Sequence, residues 1–388
     1  SSSSRGLGDV YKRQSSYSSY FSGTNIEIRN NHFVNCPAYC LLTTNLNYQK
    51  NENINIHNNT FQGYSGNAIH LAPGFNSHLN ITIVNNSFSN GASGINVDEW
   101  GIYDQLPDNV NIYSNLFTNS TNAITMKSSG VWAPFFEGGS NYLIYDNIVN
   151  EGYNGIAGSI ITSTYNNLKI INNSVDVSEY GIDIQCDNSK SPMDNVVINN
   201  NTIVTLNIGI SILNCKGETT ISSNQIITSN IGMNFFQSEA RIDYNTLTGS
   251  CTLDTCRKVS FTKVAEVGIN SDRGTEIIFN HNKLKNFFIS LDVDESSISE
   301  FVGNSINFTN TGINLFNSEI TSSENYINNT YYGMKATDSN LEINGIQLNN
   351  FDIGIDTFNS STEVNYVIFN QGRPVSYTHL RAHETTNY

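Results

Sequence analysis

Isoleucine and valine alternate with polar residues in short runs, and the runs recur in one phrasing. Ile-x-Ile leads to Asn, a spacer and a β-branched or aromatic residue, and Gly-Ile follows six positions later. The phrase reads Ile83-Val84-Asn85-Asn86-Ser87-Phe88 with Gly94-Ile95, Ile171 to Val175 with Gly181-Ile182, Ile198 to Ile203 with Gly209-Ile210, and Asn304-Ser305-Ile306 with Gly312-Ile313. Aligned positions are Asn31, Asn59, Asn86, Asn115, Asn147, Asn173, Asn201, Asn224, Asn245, Asn282, Asn304 and Asn325, then Ile346 and Val367, where Asn is lost but the spacing holds. They lie 21 to 32 residues apart, with one longer interval across an insertion. The period-two pattern predicts short strands, and no stretch sustains a helical period. Self-similarity at this spacing predicts a solenoid, in which each repeat is one coil that buries its apolar face only against its neighbours. Ile95, Val97, Ile182, Ile184, Ile210, Ile212, Ile313 and Leu315 are the expected interior.

Asn at the bend between strands tolerates left-handed backbone angles, and its amide can bond the same amide one coil away. The Gly six residues later marks a second bend, needing either positive φ or close approach. With these features the span from Asn25 to Phe369 resembles the right-handed parallel β-helix repeat family, the pectin and pectate lyase-like superfamily. The resemblance implies an all-β, right-handed parallel β-helix solenoid of about 13 to 14 coils, a rod on the order of 65 Å at the usual strand spacing. The chain lacks the Trp-Ile-Asp-His and Arg-x-Pro-x-x-Arg phrases of pectate lyases and the Asn-Thr-Asp, Asp-Asp and His-Gly phrases of polygalacturonases. The matching residues are therefore the structural ones, and fold alone does not name a chemistry.

Residues 1–14 and 375–388 depart from the repeat and resemble translated sequencing-adapter sequence, so they are set aside. Residues 15–374 are expected to form one β-helix domain, with loop insertions at 98–108, 127–140 and 248–267. The first two follow the Gly-Ile strand and leave from one side; the third precedes it and leaves from another edge. Formal net charge is −15 with Lys and Arg scattered, which argues against nucleic acid or anionic membrane as partner. No apolar run is long enough to span a bilayer. A monomer is expected.

Six cysteines fall in local pairs. Cys186 and Cys215 stand near the same place on adjacent coils, within disulfide reach. Cys36 lies close to Cys40 on the first coil, and Cys251 and Cys256 bracket a short loop. This disposition favours an oxidising compartment, hence an extracellular, cell-surface or periplasmic location.

Loops on a rigid scaffold are where function concentrates. Two successive insertions carry the chain's only tryptophans, Trp100 with Tyr103 and Trp132 with Phe135. Aromatic rings beside carboxylates suit a sugar platform, the ring faces stacking on apolar sugar faces. Equally, these rings could form a local core fastening the loops. Asp98 and Lys127 occupy matching outward positions on adjacent coils, His70 is outward on the coil before, and Asp183 is outward further along.

Two chemistries could use this surface. A uronate lyase needs the substrate carboxylate neutralised and a base nearby, roles open to Ca²⁺ held by Asp98, Glu99 and Asp104 with Lys127 as base. A glycoside hydrolase needs two flanking carboxylates, for which Asp98 and Glu137 are the best pair. The expectation is thus a carbohydrate-engaging protein whose partner is a polysaccharide or cell-surface glycan, an enzyme of lyase or hydrolase type if it is one. The alternative is a non-catalytic surface or adhesin-type rod.

Overall fold

The computed structural model describes residues 20–43, 51–72, 79–98, 107–128, 140–160, 166–186, 194–217, 219–250 and 267–371. Among them every regular element is a strand, and neighbouring coils pair in parallel, giving a β-helix in which each coil has three sides. One strand approaches the ladder Asn, one leaves it, and the Gly-Ile strand closes the coil. The chain forms two compact units, Ser1–Thr205 with Asn214–Thr219, and Leu206–Leu213 with Thr220–Tyr388.

In the first unit the period-two pattern puts large, mostly aliphatic side chains into the interior rows. Ile26, Ile54, Ile81, Val110, Tyr142, Leu168 and Val196 pair in register on the approach side. Leu41, Ile69, Ile95, Ile124, Ile156 and Ile182 pair on the Gly-Ile side. On the middle side the rings of Phe33, Phe61, Phe88 and Phe117 stack face to face, with centroids 4.9, 4.9 and 4.6 Å apart. Stacking at the strand spacing lets Phe61 and Phe88 bury both ring faces against identical neighbours. All eight residues expected in the interior are at most 1% exposed and lie in strands.

The second unit follows the same plan with shorter connections. Glu319–Thr337 and Asn340–Phe358 are each a continuous strand running round a whole coil. Ile210, Met233, Ile269, Leu291, Ile313, Met334 and Ile355 form its Gly-Ile row. The glycines beside that row are required by close approach: a Cβ on Gly312 would sit 2.4 Å from the Gly333 carbonyl oxygen, and one on Gly333 would sit 2.5 Å from that of Gly354.

Asparagines form the expected ladder at the first bend. Asn115 is 1% exposed; its backbone N–H donates to Asn147 Oδ1 (3.1 Å) and its Nδ2 donates to Asn147 Oδ1 and the Ile83 carbonyl. The same contacts link Asn31 through Asn173 to Asn201 in the first unit, and Asn224 through Asn304 to Asn325 in the second. At Ile346, which pairs with Asn325, the amide gives way to a buried aliphatic side chain. One detail corrects the sequence reading: the left-handed backbone belongs to the residue before each ladder Asn. Asn30, Asn58, Asn85, Ser114, Asp146, Asn172 and Asn200 take φ of 53 to 57°, and the ladder residues do not. The chain reverses on an exposed residue, leaving the buried amide to satisfy backbone groups on two coils.

Candidate functional site

Much of the expected site falls outside the described residues: Glu99, Trp100, Tyr103, Asp104, Trp132, Phe135 and Glu137. The backbones of Lys127 and Asp98 lie in register on adjacent coils, as their matching positions require. Gln185 Nε2 donates to Asp183 Oδ2 at 2.8 Å. His70 lies in register with Asn96 on the non-core side of its strand, yet it is only 3% exposed. Its ring rests 4.9 Å from that of Tyr39, and burial lowers its pKa to about 4. His70 was expected to face outward, and alternation along the strand could not show that it is covered. Among the described residues no group of three or more His, Cys, Asp or Glu side chains gathers as a cation site.

Two disulfides are formed, of which Cys186–Cys215 was the expected one. Cys186 and Cys215 have Cα atoms 5.0 Å apart, and Cys36 bonds Cys40. Disulfides of this kind mark a non-cytoplasmic protein. Cys251 and Cys256 lie outside the described residues. No helix among the described residues is long and apolar enough to cross a membrane.

An open groove of about 500 Å³ lies elsewhere in the first unit, at the bend between the middle and Gly-Ile strands. Its floor begins with Tyr64, 2% exposed, whose hydroxyl meets Ser120 Oγ at 2.8 Å two coils away. The ring reaches that far by lying over Gly91, where a Cβ would come within 2.0 Å of Tyr64 Cε2. Burial raises the Tyr64 phenol to about 12, so it stays protonated. Gly91 and Gly152 leave the next levels of the floor without a side chain.

The walls are polar. Asn90 and Asn119 both take left-handed φ, and Asn119 Nδ2 donates to Asn90 Oδ1 at 2.9 Å. Glu151 takes the left-handed bend one coil further, with φ 56°. Pairing with the next coil shifts register on either side of Gly152. An irregularity of this kind re-aims side chains. Glu151 and Tyr153 both turn outward, the latter 50% exposed. Ser65, Thr121 and Ser178 complete the polar lining. From Tyr64 to Ser178 the groove crosses successive coils, about 19 Å at the ordinary strand spacing.

Sequence reasoning missed this groove. Its signal was the row Tyr64, Gly91, Ser120, Gly152, where a large side chain is followed by residues too small to fill the same place on later coils. The chain matches no family model and no curated protein.

Proposed function

We propose that this protein engages carbohydrate outside the cytoplasm, holding an extended glycan in the groove of its first unit. One observation carries the reading: the exposed Tyr153 ring stands with the Glu151 carboxylate and the Asn90 and Asn119 amides along one elongated depression. An aromatic face packs on the apolar face of a sugar while amides and a carboxylate bond its hydroxyls. The disulfides support an extracellular or periplasmic setting, and the coil plan resembles that of the pectate lyase-like β-helices. Retention of the protein on immobilised polysaccharides tests the proposal. Loss of retention in Tyr153→Ala with an unchanged melting profile is expected; retention of neither form on any polymer would remove it.

A second reading is a polyuronate lyase on the Gly-Ile face, favoured by the backbone register of Asp98 with Lys127 on adjacent coils. It predicts unsaturated products absorbing in the ultraviolet from a uronate polymer with Ca²⁺, abolished in Lys127→Ala.

A further inference from the structure

We infer that the groove takes an uncharged glycan and discriminates against polyuronate, an inference that rests on the carbohydrate reading above. Glu151 is the sole charged side chain among the described lining residues, and the rest offer amides, hydroxyls and the Tyr153 ring. A carboxylate accepts hydrogen bonds and donates none, so it pairs with sugar hydroxyls and cannot pair with a second carboxylate. Hydroxyls both donate and accept, which matches the amides of Asn90 and Asn119 and the hydroxyls of Ser65 and Thr121.

The surroundings add to the same sign. Tyr180 pairs with Asn154, one residue beyond Tyr153, and its phenol is held above the ordinary value by burial, then by the charges of Asp183 and Glu179. Glu179 directly follows the lining residue Ser178, and the chain carries a net charge of −15. A polymer carrying a carboxylate on each sugar would place like charges within a Debye length, about 10 Å at 0.1 M salt, with no cation in the described lining to offset them. Discrimination of this type uses repulsion as much as attraction.

The test is affinity electrophoresis of the whole chain at low salt in gels containing xylan, mixed-linkage glucan, galactomannan, polygalacturonate or alginate, with and without Ca²⁺. Retardation by at least one neutral polymer and by neither polyuronate is expected. Tyr153→Ala should weaken it about tenfold or more. Glu151→Gln should narrow the preference against polyuronate, with its thermal unfolding confirming the fold. Polyuronate retarding the protein as strongly as any neutral polymer would overturn the inference while leaving carbohydrate engagement standing. Neutral-polymer retardation untouched by Tyr153→Ala would place binding elsewhere and overturn it too. No retardation by any polymer would remove the underlying reading itself.

Discussion

Tyr64 and Ser120 share a buried hydrogen bond of 2.8 Å although a whole coil separates theirs, the phenol ring lying across Gly91 of the intervening coil. Coils of a solenoid ordinarily bond only to their immediate neighbours. Here one side chain ties together three successive levels and forms the floor on which the groove's polar walls stand.

Gly91→Ala tests that arrangement. Gly91 does not need its conformational freedom, since its φ is not in the left-handed region, so the cost arises from the new methyl against the Tyr64 ring. Displacing the ring should destabilise the first unit by about 1 to 3 kcal/mol. In a Tyr64→Ala background the same substitution should cost no more than about 0.5 kcal/mol. Urea denaturation of the parent and the three variants measures the coupling, and additivity of the two changes would refute the contact between the Tyr64 ring and Gly91.

Asn115→Ala should be among the costlier single substitutions. Its side chain accepts from the Asn86 N–H (3.0 Å) and donates to the Ile83 and Tyr113 carbonyls and to Asn147. Truncation leaves several buried backbone groups without partners, at about 1 to 3 kcal/mol each. Asn80 makes an instructive control: it bonds Asn53 (3.0 Å) and Asn109 (3.2 Å) in a second, exposed ladder, where water replaces lost partners. Asn80→Gly, which keeps the φ of 56° open, should change stability by less than about 1 kcal/mol. Hydrogen exchange at Asn86 would accelerate in the first variant only.

That second ladder shows what the sequence carries and what is easily overlooked. Asn25, Asn53, Asn80, Asn109, Asn141, Asn167 and Asn195 each precede a ladder Asn by six residues, yet in an Asn-rich chain the regularity is hidden by abundance. The interior rows were legible because Ile95 and Ile182 obey a period of two that only a strand satisfies. Cys186 and Cys215 were legible because stacked coils superpose equivalent positions. The groove was not, because it depends on a ring laid over a residue 27 positions away in sequence, Tyr64 on Gly91, and on a register shift at Gly152. His70 marks the same boundary: alternation gives the side of the strand, while burial depends on what packs over it.

The Cys186–Cys215 disulfide closes a loop across a sequence separation of 29. On the chain-entropy account, removing it should cost about 3 to 4 kcal/mol. Replacing both cysteines by Ser should lower the urea midpoint of the first unit, and reductant should lower that of the parent without affecting the variant to the same degree. Alkylation of either cysteine in the native, unreduced protein would show that the bond is not formed.

His70 sets a pH dependence whose sign follows from its burial. Free imidazole titrates near 6.5, whereas desolvation holds His70 at about 4 in the folded chain. Between those values the unfolded chain binds a proton that the folded chain refuses. Stability therefore falls as pH drops from about 6.5 to about 4, and levels off below. The gap corresponds to a loss on the order of 3 kcal/mol from this residue. Carboxylates contribute their own acid loss, so the informative quantity is the difference between the parent and His70→Gln. The parent should lose more stability than the variant over pH 6.5 to 4, and the two should run parallel above pH 7.5. Imidazole proton shifts give an independent reading: the His70 signal should remain that of the neutral ring at pH 5. A ring that titrates near 6.5, or equal pH slopes in the two proteins, would mean that His70 is solvated.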